Sequence, residues 1–477
     1  MFREKDCLGE MDIREDVYYG IQTERARNNF DISSTTIDDL PEFICAVAEI
    51  KKSAALANCK IGKLDQSICN AICAAADEII AGKMRGNFPV DIFQGGGSTS
   101  TNMNVNEVIA KRANEIITGY KDGGIVHPNT HVNRGQSTND VIPSAIEITC
   151  YRYAVELKKS LEHLNAAFAR KAEEFKDIVK TSRTCLQDAV PITLGQEFSG
   201  YRAFTARHVK LLDEFLSKPL ELTLGGTATG TGLGTFEGYM TEVYIQLRAV
   251  TGIDVKQREN LFDGFQNGDD YIRISAYLKS LATGLGKIAT DLRMMSSGSR
   301  CGLQEIFLPA VQPGSSIMPG KVNPVMLELM NQICYQVCGD DTAITMAVEG
   351  GELDLNVWEP VIIKNLTEQF KLLTNGMIKF ADLCIDGIKA NVDKLRADAE
   401  ATMANATVAS TILGYVKGTE IAQKAVAENK TVKQVIRELK LFPDAEIDKL
   451  FDTLMMTDWQ RSTKIINSTN FFRRSQE

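Results

Sequence analysis

The chain has 477 residues, 44% hydrophobic and 24% charged, with 53 Lys+Arg against 62 Asp+Glu for a net charge of −9. This suits a soluble globular protein of two to four domains with a large core, and without a basic run it makes nucleic acid an unexpected partner. The opening MFREKDCLGE is charged at once, and no apolar run approaches the roughly 20 residues of a membrane helix, so neither a secretory signal nor a membrane span is expected.

Residues 1–138 read as an N-terminal mixed, mostly helical domain, with helical patterns at Phe43–Cys59 and Ile68–Ile80 after the opening DVYYGIQTERARNNF. Two stretches in it, GGGSTSTNMNVNE at 95–107 and HPNTHVNRGQSTND at 127–140, are rich in hydroxyl and amide side chains. Such residues favour caps and turns. Two clusters that each hold Ser-Thr-Asn (100–102 and 137–139) also suggest donors gathered for an anionic ligand.

Residues 139–393 read as a central domain of long helices. Leu157, Leu161, Leu164, Phe168 and Phe175 form one apolar stripe. Ile274, Leu278, Leu281, Leu285, Ile288, Leu292 and Met295 step by alternating fours and threes, as do Ile363, Leu366, Phe370, Leu373, Met377, Phe380 and Cys384. That 3.5-residue period makes helices supercoil in bundles, and such seams often continue between subunits, so an oligomer is expected. In SRTCLQDAVPITLGQEF (182–198), Pro191 and Gly195 are read as breaking a helix and placing Thr184 and Cys185 near a turn. From 394 to 477 shorter segments predict a small helical C-terminal domain, with a capping box at Thr431–Gln434 and a loosely ordered last ten residues.

The segment Gly314–Pro324, GSSIMPGKVNP, has neither helical nor strand periodicity, and its glycines and prolines fit a mobile active-site loop with Ser315 as the reactive group. It is not a phosphate loop: Pro319 stands where the second glycine is needed, and Val322 where Ser or Thr is needed. The run from Gly230 likewise places Thr235 where a dinucleotide fingerprint has glycine. Four histidines, with no HExxH spacing, give no zinc site. Eleven cysteines without a CxxC pair indicate free thiols in a reduced cytoplasm, including Cys69/Cys73 and Cys334/Cys338 one helical turn apart.

Many neutral donors around one lysine suit a small di-anion. One chemistry that needs them is proton abstraction beside a carboxylate, which builds an aci-carboxylate whose charge each aimed donor stabilises by about 3–4 kcal/mol. Serine is a base here only if donors or a cation activate it, and the loop's backbone N–H groups and Lys321 are candidates. A generic anion-binding enzyme fits the same inventory.

GSSIMPGKVNP, STSTNMNVNEV, HPNTHVNRGQSTND and RTCLQDAVPITLGQEF together resemble the aspartase/fumarase superfamily over nearly the whole chain. DVYYGIQTERARNNF, GELDLNVWEPVI (351–362) and NPVMLE (323–328) look more like the ammonia-lyases than the fumarases within it. The resemblance implies a mainly α, three-domain fold whose long central bundle is shared in a homotetramer, with each site built from three subunits. It implies reversible anti elimination of ammonia from L-aspartate to fumarate, without an organic cofactor, some relatives being activated by a divalent cation such as magnesium.

By that resemblance Ser315 abstracts the C3 proton. Thr99, Ser137, Thr138 and Ser316 hold the β-carboxylate and its aci form, Thr184, Lys321 and Asn323 the α-carboxylate, and Asn139 the departing amine with help from Thr99. One position departs from the pattern. Cys185 stands where the family commonly has a histidine paired with a glutamate that aligns with Glu328, and a neutral thiol cannot reproduce that pairing. Three readings of Cys185 remain: a pocket wall, a smaller residue that admits a substituted aspartate, or a reactive thiolate. Ser299, where relatives often carry proline, is expected to have only a local backbone effect. The alternatives are a fumarate hydratase, a related C–N lyase and a non-enzymatic bundle protein, the last disfavoured by the intact Ser315, Lys321 and Asn323.

Overall fold

The apolar seams of the sequence become helices. The computed structural model describes residues 2–469. It opens on an antiparallel hairpin of β1 (Phe2–Asp6) and β2 (Gly9–Ile13), followed by α1 (Ile21–Asn29), α2 (Pro41–Lys60), α3 (Gln66–Ile80) and α4 (Thr99–Thr118). A π-helical turn at Pro128–Val132 leads to α5 (Thr138–Glu174). Then come β3 (Val179–Thr184), β4 (Gln187–Thr193), α6 (Leu194–Leu216), β5 (Leu220–Leu222), α7 (Tyr239–Thr251) and β6 (Val255–Gln257). The long helices α9 (Asp269–Met295), α10 (Val325–Glu349) and α11 (Glu359–Leu383) follow α8 (Leu261–Gln266), with the short strand β7 (Ile306–Phe307) ahead of α10. After β8 (Lys389–Ala390) the chain ends in short helices, of which α12 (Val392–Ala401), α13 (Ala406–Leu413), α14 (Tyr415–Glu428), α15 (Val432–Glu438) and α16 (Asp444–Leu450) are the main ones.

The residues group into two compact units. One takes Met1–Lys158, Leu211–Ala282 and Cys334–Thr374; the other takes Lys159–Lys210, Thr283–Ile333 and Asn375–Glu477. The boundaries read from the sequence at 138 and 393 fall at the starts of α5 and α12 and stand as a proposal beside this division.

Every residue of the predicted seams on α5, α9 and α11 is buried, the most exposed being Ile274 at 8%. In the first unit α2 begins with Pro41 at its N-terminus, where the missing N–H costs nothing. It buries Phe43, Val47, Ile50, Ala54 and Ala57, while α3 buries Cys69, Ile72, Ala76 and Ile79. In the second unit Phe168, Phe175, Phe198, Tyr201 and Phe380 pack edge to face or tilted, with centroids 5.4–6.4 Å apart, a geometry aromatic quadrupoles favour. The same unit holds a small core of Ala409, Ile421, Val435, Ile436, Ile447 and Phe451, below which the predicted capping box of Thr431 and Gln434 opens α15. Of the last ten residues, Asn470–Glu477 lie outside the described ones.

One expectation is corrected. Residues 182–193 form no interrupted helix. They belong to the β3–β4 hairpin, in which Thr181 pairs with Pro191 across a bulge. Pro191 is tolerated because the register is irregular there, and Gly195 lies inside α6 rather than ending a helix.

The motif Tyr19-Gly20-Ile21-Gln22-Thr23 acquires a physical reason here. Gly20 caps α1 without a side chain, and Glu107, from the middle of α4, does the capping instead. Its carboxylate accepts from the backbone N–H of Gly20 (2.8 Å), Gln22 (2.9 Å) and Thr23 (3.1 Å) and from the Thr23 hydroxyl (2.6 Å). A Cβ at Gly20 would lie 2.9 Å from that carboxyl group. Glu107→Ala leaves four donors unsatisfied at a buried helix start and should lower the unfolding free energy by about 3 kcal/mol, read by denaturant titration at fixed protein concentration. A loss under about 1 kcal/mol would contradict this role.

Candidate active site

Three polar blocks each stand at the N-terminus of a helix of 20 or more residues: Thr99 begins α4, Ser137–Asn139 open α5, and the 314–324 loop runs into α10. A helix start offers free N–H groups and a partial positive charge, so all three positions suit an anion before any side chain is counted.

In the first unit, a buried lysine organises two of these blocks. Lys51 of α2 is 0% exposed. Its ammonium donates to Asn102 Oδ1 (2.6 Å) on α4 and Asn133 Oδ1 (2.8 Å) after the π-helical turn. Asn133 also accepts from the amides of Asn102 (3.2 Å) and Asn106 (3.1 Å), and itself donates to the Gln136 carbonyl (3.1 Å). The start of α5 is then built by a reciprocal cap. Asp140 accepts from Ser137 N–H (2.9 Å), and the Ser137 hydroxyl accepts from Asn139 N–H (3.3 Å). The other Asp140 oxygen accepts from Gly225 and Thr227 N–H, both at 3.0 Å, tying the glycine-rich stretch to the same point.

Burial pushes the Asp140 carboxyl up to about 7 against the pull of those N–H donors and of Lys51, and burial pushes the Lys51 ammonium down to about 7 against the pull of Asp140. Around this scaffold, Thr99 is exposed with its hydroxyl donating to Gly96 O (2.7 Å), Thr138 is buried, and the Asn139 amide donates to Ala228 O (2.8 Å).

In the second unit the 314–324 loop is closed on itself. Gly314 N–H donates to Lys321 O (2.8 Å), and the Asn323 amide donates to Gly314 O (2.7 Å). A Cβ at Gly314 would meet Lys321 O and Asn323 N at 2.6 Å, so only glycine allows this closure. Within it, Ser315 Oγ accepts from the backbone N–H of Met318 (2.9 Å) and Ile317 (3.2 Å). Ser316 and Lys321 are exposed, as are Ile317 (84%) and Met318 (50%). Glu328 sits in the first turn of α10.

Thr184 and Cys185 occupy the exposed tip of the β3–β4 hairpin, where Thr184 pairs with Gln187. Cys185 (φ 52°) and Leu186 (φ 60°) are both left-handed, the geometry of a two-residue turn that usually selects Asn-Gly, so this tip is strained. A buried ion network anchors it: Glu305, 0% exposed, pairs with Arg183 and with Lys180 (2.8 Å), and Lys180 also reaches Glu197 (2.6 Å).

Sequence reasoning missed Lys51, Asn133, Asp140 and Glu305. The signal for Lys51 was present, since it shares the stripe of Val47 and Ala54, where a lysine needs a partner. A cavity of about 750 Å³ in the first unit, with Glu147 and Arg258 in its wall, includes none of the predicted site residues. Among the described residues no group of three or more His, Cys, Asp or Glu side chains could hold a metal ion, and no helix is long and apolar enough to cross a membrane. Lys51→Met leaves the buried Asn102 oxygen without a donor and takes one of three donors from Asn133, and should cost about 2 kcal/mol of stability in a denaturant titration. Retention of wild-type stability would remove Lys51 from this account.

Residues 9–339 match a family described as Lyase, and 406–458 match the fumarase C C-terminus. Aspartate ammonia-lyase of Bacillus subtilis is 45% identical over 456 residues, covering 95% of both chains. That of Escherichia coli is 42% identical over 451 residues, covering 94% of both. Among solved structures, a fumarate lyase:delta crystallin of Brucella melitensis bound to cobalt has a TM-score of 0.91 at 44% identity, covering 96% of this chain and 99% of that one. A class II fumarase of Schistosoma mansoni has the same TM-score and coverage at 34% identity. Matches of this length, on the motifs whose geometry is described above, place the chain in the aspartase/fumarase family of lyases.

Proposed function

We propose that this carbon–nitrogen lyase is an aspartate ammonia-lyase, converting L-aspartate reversibly to fumarate and ammonia. The observation that carries the reading is Ser315. Two backbone N–H groups aim at its oxygen, and donors to the ionised form favour ionisation. The alkoxide takes the C3 proton of aspartate, the electron pair moves into the β-carboxylate as the aci form, and its return expels the amine from C2 to leave the trans double bond.

Thr99, Ser137, Thr138 and Ser316 are proposed to receive the β-carboxylate, which gains charge in the transition state, so donors fixed beforehand lower the barrier. Thr184, Lys321 and Asn323 are assigned to the α-carboxylate, and Asn139 to the amine. Cys185, uncharged and small, is assigned to the pocket wall; the amine, already protonated on aspartate, leaves as neutral ammonia and needs no imidazole to protonate it there. Exposed Ile317 and Met318 beside the reactive serine support a homotetramer in which other copies cover the loop and complete each site. A cytoplasmic location and activation by a divalent cation such as magnesium complete the proposal, and no step passes through the cation.

The test follows fumarate by ultraviolet absorbance from L-aspartate and from L-malate. Aspartate should yield fumarate and malate should not; the reverse would make the protein a fumarate hydratase. Ser315→Ala should lower kcat by about 10²–10⁴-fold or more with the assembly unchanged, as expected for loss of a general base. Activity within a few-fold of the parent would exclude Ser315 as the base.

A further inference from the structure

Away from the candidate site, α2 and α3 of the first unit bring three thiols into a row. Cys59 lies in the last turn of α2, and Cys69 and Cys73 lie one turn apart on α3. Cys69, 0% exposed, is the centre: its thiol donates to Ala55 O (3.4 Å), one turn before Cys59 on α2, and Cys73 follows it one turn along α3. Cys59 and Cys73 are half-buried ends open to solvent, and Cys59 donates to Gln66 Oε1 (3.3 Å). The Lys52–Asp77 ion pair (2.6 Å) holds the same two helices in register beside the row. All three are free thiols.

We propose that this row is an oxidation site at which a hydroperoxide links Cys59 to Cys69 and so staples α2 to α3. The pairing follows from geometry. Side chains one turn apart on a helix keep their Cβ atoms about 5–6 Å apart, beyond the roughly 3.5–4.5 Å a disulfide needs, so Cys69–Cys73 does not close on an intact helix. Cys59 and Cys69 come from different helices joined by the short turn around Gly62, and carry no such restriction.

The Cys59 thiolate attacks the peroxide; the S–O bond forms, the O–O bond breaks, and the departing oxygen takes up a proton. Cys69 then gives up its proton and attacks the Cys59 sulfur, forming S–S as the S–O bond breaks and water leaves. The two sulfurs lose two electrons and the peroxide gains them. The inference is independent of the proposed catalytic reaction.

The test treats the full-length protein with hydrogen peroxide, blocks remaining thiols, and digests it with trypsin without reductant. Cys59 falls in the peptide 53–60, and Cys69 with Cys73 in 64–83. The expected product is the two peptides joined, separating on addition of dithiothreitol, retained in Cys73→Ser and lost in Cys69→Ser. Three results would overturn the proposal: the peptides stay separate while exposed Cys7, Cys185 and Cys301 oxidise; 64–83 alone loses two hydrogens; or the link survives in Cys69→Ser.

Discussion

The donor shell of the first unit depends on a single buried ammonium. Taking a lysine out of water costs several kcal/mol, and Lys51 meets that cost only because Asn102 and Asn133 offer oxygens at hydrogen-bond distance. Those two amides come from α4 and from the turn before α5, so satisfying one charge fixes the relation between two helix starts. Asp140 extends the same logic to the stretch at Gly225–Thr227. The hydroxyls and amides that face outward, Thr99, Ser137 and Asn139, are then held by groups that face inward. Preorganisation of that kind is what a reaction building charge on a carboxylate requires.

The second unit solves a similar problem with backbone rather than a buried charge. Gly314 admits a closure that any side chain would block, and the closed loop turns the N–H groups of Ile317 and Met318 toward Ser315. The hairpin carrying Thr184 and Cys185 uses an ion network on Glu305 to hold a strained tip. Strain of this sort persists only where surrounding structure overrides local preference, and it coincides with Cys185, the position that departs from the pattern the sequence resemblance implies.

Periodic features were legible in the sequence and singular ones were not. The seams 274–295 and 363–384 read correctly because a 3.5-residue period repeats over seven positions and averages out local noise. The Thr431–Gln434 cap read correctly because both partners lie within one turn. The hairpin at 179–193 was misread because Pro191 and Gly195 are strong breakers, while the bulge that accommodates Pro191 depends on a cross-strand partner no local pattern records. The loop around Ser315 stands out by its composition, whereas the approach of the Ile317 and Met318 N–H groups to the Ser315 oxygen depends on the loop's closure between Gly314 and Lys321. Asp140 was hidden in the Ser-Thr-Asn-Asp run, where its inward direction cannot be told from the outward direction of its neighbours, and its partners lie more than eighty residues away in sequence.

In the proposed site the Ser315 loop of one copy works with the Ser137–Asn139 helix start of another. Subunit mixing tests it directly. Ser315→Ala and Asn139→Ala chains, each nearly inactive alone, are unfolded together, refolded as a random mixture, and assayed for fumarate release from L-aspartate. If the two blocks come from different copies, roughly a quarter of the sites regain both intact and activity returns to about that fraction of the parent. If both blocks of a site belong to one chain, every site in the mixture carries a defect, and activity stays at the level of the separate variants.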